Sequence, residues 1–182
     1  MDIAQNSTHA GAHRVDIVLA AESETRMLVL TVKDDGKGMD AEFLARVTDP
    51  FTTTRTTRKV GLGIPLLKLA AELSGGSLEI DSEPGKGTFL RTGFRLDSID
   101  RIPVGDIPGT IAALMTAWTD IEWTLCLQSA KDRYEITTAE IKEVLDGVSI
   151  GNPAIAGWLA ESIEEAMTNV FGGILDEIAE GS

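Results

Sequence analysis

Cysteine is almost missing from this chain. Cys126 stands alone, so no internal disulfide can form and a reducing compartment, the cytoplasm, is the expected setting. It sits in the apolar run IEWTLCL, where a buried, inert thiol is expected. Long apolar runs are missing too: none approaches the ~18 residues of a membrane span. The start, MDIAQNSTHAGAH, lacks a basic stretch followed by an apolar one, so no signal peptide is read. Basic residues are scarce, 16 Lys and Arg against 29 Asp and Glu for a net charge of −13. The deficit is uneven: residues 1–100 hold 12 basic and 15 acidic side chains, residues 101–182 hold 4 and 14. Such a surface repels nucleic acid and anionic membranes, so neither is expected as a partner. Only two histidines occur, His9 and His13, both expected in surface or core roles. There is no H-E-x-x-H, no P-loop spacing before either Gly-Lys pair, and the twelfth residue from Asp34 is Ala45 rather than the Glu of an EF-hand.

What is present is a chain of 182 residues, 43% apolar. That length fits one soluble domain, or one with an extension, and allows a sizeable core. Residues 2–10 read as a helix ended by Ala10-Gly11-Ala12. His13 to Ala20 and Arg26 to Val32 read as strands around a polar link. A short helix is expected over Ala41 to Val47 with Asp40 as N-cap. Leu62 to Leu73 is apolar on most faces, which predicts a helix buried against a sheet. Ser77 to Ser82 and Thr88 to Phe94 read as strands joined by Glu83-Pro84-Gly85-Lys86-Gly87. Beyond Asp100 the composition shifts. Pro103, Gly105, Pro108 and Gly109 read as a connector, followed by a helix from about Thr110 to Trp118. A hairpin is expected over Ile121–Leu127 and Arg133–Thr138, then a helix through Leu145 capped by Thr137 or Thr138. Asn152-Pro153 opens a last helix whose stripe of Ile155, Leu159, Ile163, Met167, Val170, Ile174 and Ile178 suits internal packing, with a homodimer face as the alternative. We divide the chain into a domain over 1–100 and an acidic α+β extension over 101–182, packed on the first.

Chemistry concentrates in four blocks. Asp2 and Asn6 are four apart, hence on one helical face; a carboxylate there can orient or deprotonate water, and a carboxamide oxygen is a hard ligand suited to Mg²⁺. Asp34 leaves an apolar strand straight into Gly36 and Gly38, an acceptor for an exocyclic amine beside bare backbone. Asp49 to Gly63 runs hydroxyls and cations into glycines that open a helix, so N–H groups and the helix dipole face any phosphate. In Gly85-Lys86-Gly87-Thr88, the Thr88 hydroxyl is placed to bridge to a purine or to Asp34.

In this order the blocks resemble the four boxes of the GHKL ATP-binding superfamily of gyrase, MutL, heat-shock chaperones and histidine kinases, over about residues 2–95. The resemblance implies a two-layer α/β sandwich, with a mixed, mainly antiparallel sheet, helices on one face and ATP under a lid. Residue by residue it implies that Asn6 binds Mg²⁺ and Asp34 the adenine amino group. Gly36, Gly38 and Met39 would lie along the nucleotide. Phe51 would be among the nucleotide-binding residues; Thr52 to Lys59 would form the lid, with Thr52, Thr53, Thr54, Arg55, Arg58 and Lys59 on the nucleotide and the three cations reaching phosphate oxygens. Gly61, Leu62 and Gly63 would hold the phosphates and Thr88 would complete the adenine contact. Asp2 takes the general-base position, where the family usually has Glu. It is the second residue of the chain, so either residues precede Met1 or hydrolysis is weak while binding is kept. The function expected is Mg²⁺-dependent ATP binding with slow hydrolysis or phosphoryl transfer to a partner protein. The alternatives are a non-enzymatic ATP-sensing module whose lid controls partner binding and a protein kinase similar to the anti-sigma-factor kinases.

Overall fold

The computed structural model describes residues 2–49, 63–96 and 105–172. Within them the chain builds α1 (Asp2–His9), β1 (Arg14–Glu22), β2 (Met27–Asp34), α2 (Ala41–Leu44), α3 (Gly63–Leu73), β3 (Ser77–Glu83), β4 (Gly87–Arg95), α4 (Ile107–Ala117), β5 (Glu122–Gln128), β6 (Arg133–Thr137), α5 (Thr138–Val144) and α6 (Pro153–Phe171). All six strands join one sheet in the order β3-β4-β2-β1-β5-β6. Every neighbouring pair is antiparallel except β1 with β5. The result is a two-layer α/β sandwich with a mixed, mainly antiparallel sheet.

The alternation in β1 explains the layering. Val15, Ile17, Leu19 and Ala21 are buried while their neighbours Asp16, Val18 and Ala20 are only half so, the period of two that gives a sheet a core face. Leu28, Val32, Trp123, Leu125 and Leu127 extend that face, and α4 and α6 cover it with Ile111, Leu114, Met115, Leu159, Ile163 and Phe171. Cys126 is buried and accepts a hydrogen bond from Arg133 Nε at 3.3 Å. No described helix is long and apolar enough to cross a membrane.

Two local expectations need correction. Pro108 and Gly109 do not lie in a connector: α4 begins at Ile107, with the Asp106 carboxylate accepting from the Gly109 N–H. Proline suits a first helical turn because its missing N–H would have no partner there. Nor is α3 buried on most faces. Only Pro65, Ala70 and Ala71 are buried, and Leu66, Leu69 and Leu73 are each about half exposed. The helix lies on β3 and β4 by one side and presents those three leucines outward. The helix after the hairpin starts as read: Thr137 caps it, with Glu140 returning the bond in a capping box. Asn152 caps α6, and Gly172 closes it in the left-handed region with φ 30°. Of the apolar stripe on α6, Ile174 and Ile178 lie outside the described residues.

Candidate functional site

The site is a rung of the sheet. Ser82 of β3 pairs with Thr88 of β4, Thr88 with Asp34 of β2, Asp34 with Val15 of β1, and Val15 with Trp123 of β5. Because side chains directly opposite share a face, the Asp34 carboxylate stands on the helix-covered side at the end of its strand. It is 8% exposed, and a buried carboxylate needs hydrogen-bond donors. Three are supplied. The Ser7 hydroxyl, from α1, donates to Oδ2 at 2.7 Å; the Gly36 and Thr88 N–H groups donate to Oδ1 at 3.0 and 3.3 Å. The Thr88 hydroxyl does not bridge to Asp34 as expected from the sequence. It meets the Ser82 hydroxyl at 3.1 Å, and only the Thr88 backbone reaches the carboxylate.

The loop after β2 is tied down on every side. Asp35 Oδ1 accepts the His13 and Arg14 N–H groups at 2.7 and 2.8 Å, the Lys37 N–H donates to the Ala10 carbonyl, and the Gly85 N–H donates to that of Lys37. The Met39 N–H donates to Ser82 Oγ at 2.9 Å. The glycines serve this lacing. A Cβ on Gly36 would come within 2.8 Å of the Ala10 Cβ; one on Gly38, which has φ 65°, would stand 2.0 Å from the Glu83 carbonyl oxygen. Both are glycines first because protein packs against them.

Desolvation works to raise the Asp35 carboxyl, but the N–H donors of Arg14, His13 and Asp35 itself, with the charge of His13, outweigh it and leave the pKa lowered. A carboxylate with a depressed folded-state value stabilises the fold above its unfolded value, and that contribution is lost as pH falls through the folded one. We therefore expect Asp35→Ala to lower the thermal midpoint at neutral pH and to flatten the pH dependence of stability below about pH 4, measured by thermal melts from pH 2 to 7. Parallel wild-type and variant curves across that range would refute the assignment.

Asn6 is exposed on α1. Among the described residues no three His, Cys, Asp or Glu side chains gather as a metal cluster. The Asn6 carboxamide oxygen is a hard donor of the kind Mg²⁺ accepts beside phosphate oxygens and water. Gly63 begins α3, whose first turn carries no acidic side chain to compete with an anion for the positive end of the helix dipole. The side chain of Asp2 and residues Phe51, Thr52, Thr53, Thr54, Arg55, Arg58, Lys59, Gly61 and Leu62 lie outside the described residues. Beside the rung a largely apolar cavity of about 370 Å³ opens between α1, α3, α4 and the sheet; Ile3, Ala4, Val32, Leu67 and Ile111 line it, and Asp34 does not. Sequence reasoning missed Ser7 and Ser82. The signal for Ser7 was available: it stands three and four residues from Ala4 and Ile3, on the face α1 turns to the sheet.

A family model described as "Histidine kinase-, DNA gyrase B-, and HSP90-like ATPase" matches residues 1–98. The heme sensor protein HssS of Staphylococcus saprophyticus is 35% identical over 82 residues, 44% of this chain and 17% of that protein. Sporulation kinase A of Bacillus subtilis is 34% identical over 80 residues, 44% of this chain and 13% of the kinase. The sensor histidine kinase ZraS of Klebsiella oxytoca is 34% identical over 86 residues, 47% and 18%. The chain thus matches less than a fifth of each of these relatives. Among solved structures, the crystal structure of the N-terminal domain of a DNA repair protein superposes with a TM-score of 0.51 at 12% identity. That match covers 74% of this chain and 49% of the other, and it speaks for the fold alone.

Proposed function

We propose that this chain, which belongs to the family of histidine kinase-, DNA gyrase B- and HSP90-like ATPases, binds ATP with Mg²⁺, the adenine amino group on Asp34, and turns it over slowly or passes its γ-phosphate to a partner protein. The observation that carries the reading is the buried Asp34 carboxylate, oriented by three donors from three elements beside a backbone-lined loop. ATP binding follows from the family; the metal, the chemistry and the partner are our inference.

The remaining roles follow the sequence reading. Asn6 would ligate Mg²⁺, which, when bound, neutralises phosphate charge. Gly36, Gly38 and Met39 would flank the purine, with Thr88 closing the adenine contact. Gly61, Leu62 and Gly63 would receive the phosphates at the start of α3, where N–H groups and dipole favour an anion. Thr52 to Lys59 would supply the lid, Arg55, Arg58 and Lys59 pairing with phosphate oxygens. Asp2 would orient the attacking water. The acidic half, residues 101–182, would meet the protein partner, and the cytoplasm is the proposed setting.

Calorimetric titration of the whole chain with ATP, with and without Mg²⁺, tests this directly. Saturable binding strengthened by Mg²⁺ is the expected result; no binding in either condition refutes the proposal. Turnover is tested separately. Phosphate release or labelling of a partner from γ-labelled ATP, abolished in Asp2→Ala, supports the enzymatic role. ATP binding with no release and no labelling favours the ATP-sensing reading, which the shorter arm of Asp2 motivates.

A further inference from the structure

We propose that the cavity between α1, α3, α4 and the sheet binds a small, uncharged and largely apolar molecule that carries a hydroxyl or N–H donor at one end. Such a site is separate from the nucleotide reading and stands without it.

The cavity holds about 370 Å³, well above the ~150 Å³ of an apolar void that stays dry and accepts benzene. On that scale it accommodates on the order of fifteen non-hydrogen atoms, and it falls within the range of pockets that take small molecules. Its floor is the covered face of the sheet, through Ile17, Leu19, Leu28, Leu30 and Phe94. Leu30 and Phe94 belong to inner strands yet are only half-buried, since they line the void. The helices explain the gap. α1 packs with α3 and α4 with α6, and the void lies between the two pairs. Protein interiors keep few voids larger than a water molecule. An apolar solute here therefore gains dispersion contacts and displaces no hydrogen-bonded water.

Two observations separate this void from the nucleotide site. The floor recedes along β2 from Val32 to Leu28, and at about 3.3 Å per residue Leu28 lies roughly 20 Å behind Asp34. One wall is α4, through Ile107, Thr110, Ile111 and Leu114, and α4 lies beyond the residues 1–98 that the family model matches. The lining sets the ligand's chemistry. Among the described residues it contains no Lys, Arg or His, so a fatty carboxylate or a phosphate finds no counter-charge. Its only polar side chains are Asp106 and Thr110. Asp106 is exposed, which places it where the void meets solvent. Its Oδ1 accepts the Gly109 N–H at 2.8 Å, and among the described residues Oδ2 accepts from none. A donor head satisfies Oδ2 at the opening while the apolar body fills the space behind it.

Phenylnaphthylamine, an uncharged amine whose fluorescence rises in apolar surroundings, is the probe. It is titrated into the full-length protein with and without ATP and Mg²⁺. Saturable binding that persists at high ATP is the expected result. Ala70→Phe on α3 and Thr110→Phe on α4 fill the void from opposite walls. Each should weaken the probe by about tenfold or more, the worth of some two buried methylenes, with a thermal melt showing that the variant is folded. In the wild type, decanol should displace the probe at lower concentration than decanoate. Asp106→Asn, which keeps a cap on α4, should narrow that gap. Four results overturn the proposal: binding that does not saturate, displacement of the probe by ATP, a folded void-filling variant that binds as the wild type does, or decanoate as effective as decanol. A wild type that takes the probe but no ATP removes the nucleotide reading alone.

Discussion

Asp34→Asn should weaken ATP binding by on the order of 100-fold, because a hydrogen bond to a charged group contributes about 1.5–3 kcal/mol and is here replaced by a mismatch. The amide has one acceptor oxygen and one donor nitrogen. Two backbone N–H groups point at the Oδ1 position, so the amide oxygen is held there and the NH₂ is forced to the Oδ2 position. Ser7 can adapt by accepting from it. The purine amine cannot, since it meets donor with donor. The same substitution should therefore improve ITP, which carries a 6-oxo group in place of that amine, relative to ATP, a reversal that general damage to the fold would not produce. Titration of both nucleotides, with a thermal melt of the unliganded protein as control, checks the result. Unchanged ATP affinity in this variant would remove Asp34 from the site.

The second large effect is on stability. Trp123 is fully buried, and its indole N–H donates to the Trp118 carbonyl at 3.2 Å. Its backbone N–H donates to the hydroxyl oxygen of the buried Thr138 at 2.9 Å. Truncating such a side chain costs about 3–5 kcal/mol, against a total of ~5–15 kcal/mol for a domain. Trp123→Ala should therefore lower the urea midpoint sharply, and saturating ATP should recover part of the loss, since ligand binds only the folded state. A destabilisation below about 1 kcal/mol would mean that the core does not centre on this side chain.

The parts legible in the sequence were those with local causes. The strand of β1, the turn chemistry of Pro84-Gly85, the threonine cap of the helix after the hairpin and the Asn152-Pro153 start are each written within a few residues. Asp34 was legible because a carboxylate and two glycines follow an apolar strand. What escaped depends on distant partners or on local ambiguity. Pro108 and Gly109 carry turn chemistry, and only the cap at Asp106 turns them into a helix start. Leu66, Leu69 and Leu73 look like core residues by periodicity, because no local pattern says which side of an apolar helix has a neighbour. Ser7 and Ser82 act 27 and 6 residues away in sequence; Ser7 needs the helix seated on the sheet before its role exists. The parallel pairing of β5 with β1 joins residues 108 apart in sequence, as Arg14 with Glu122, and leaves no local trace.

That pairing has a consequence for how the polypeptide can be divided. β1 gains its second neighbour only from β5, through the register Arg14↔Glu122 to Ala20↔Gln128. A fragment ending near residue 100 would leave Val15, Ile17 and Leu19 on a bare strand margin, with a row of unsatisfied amides and carbonyls beside an uncovered apolar surface. Such margins recruit other chains. Self-association is thus the expected fate of the first hundred residues on their own.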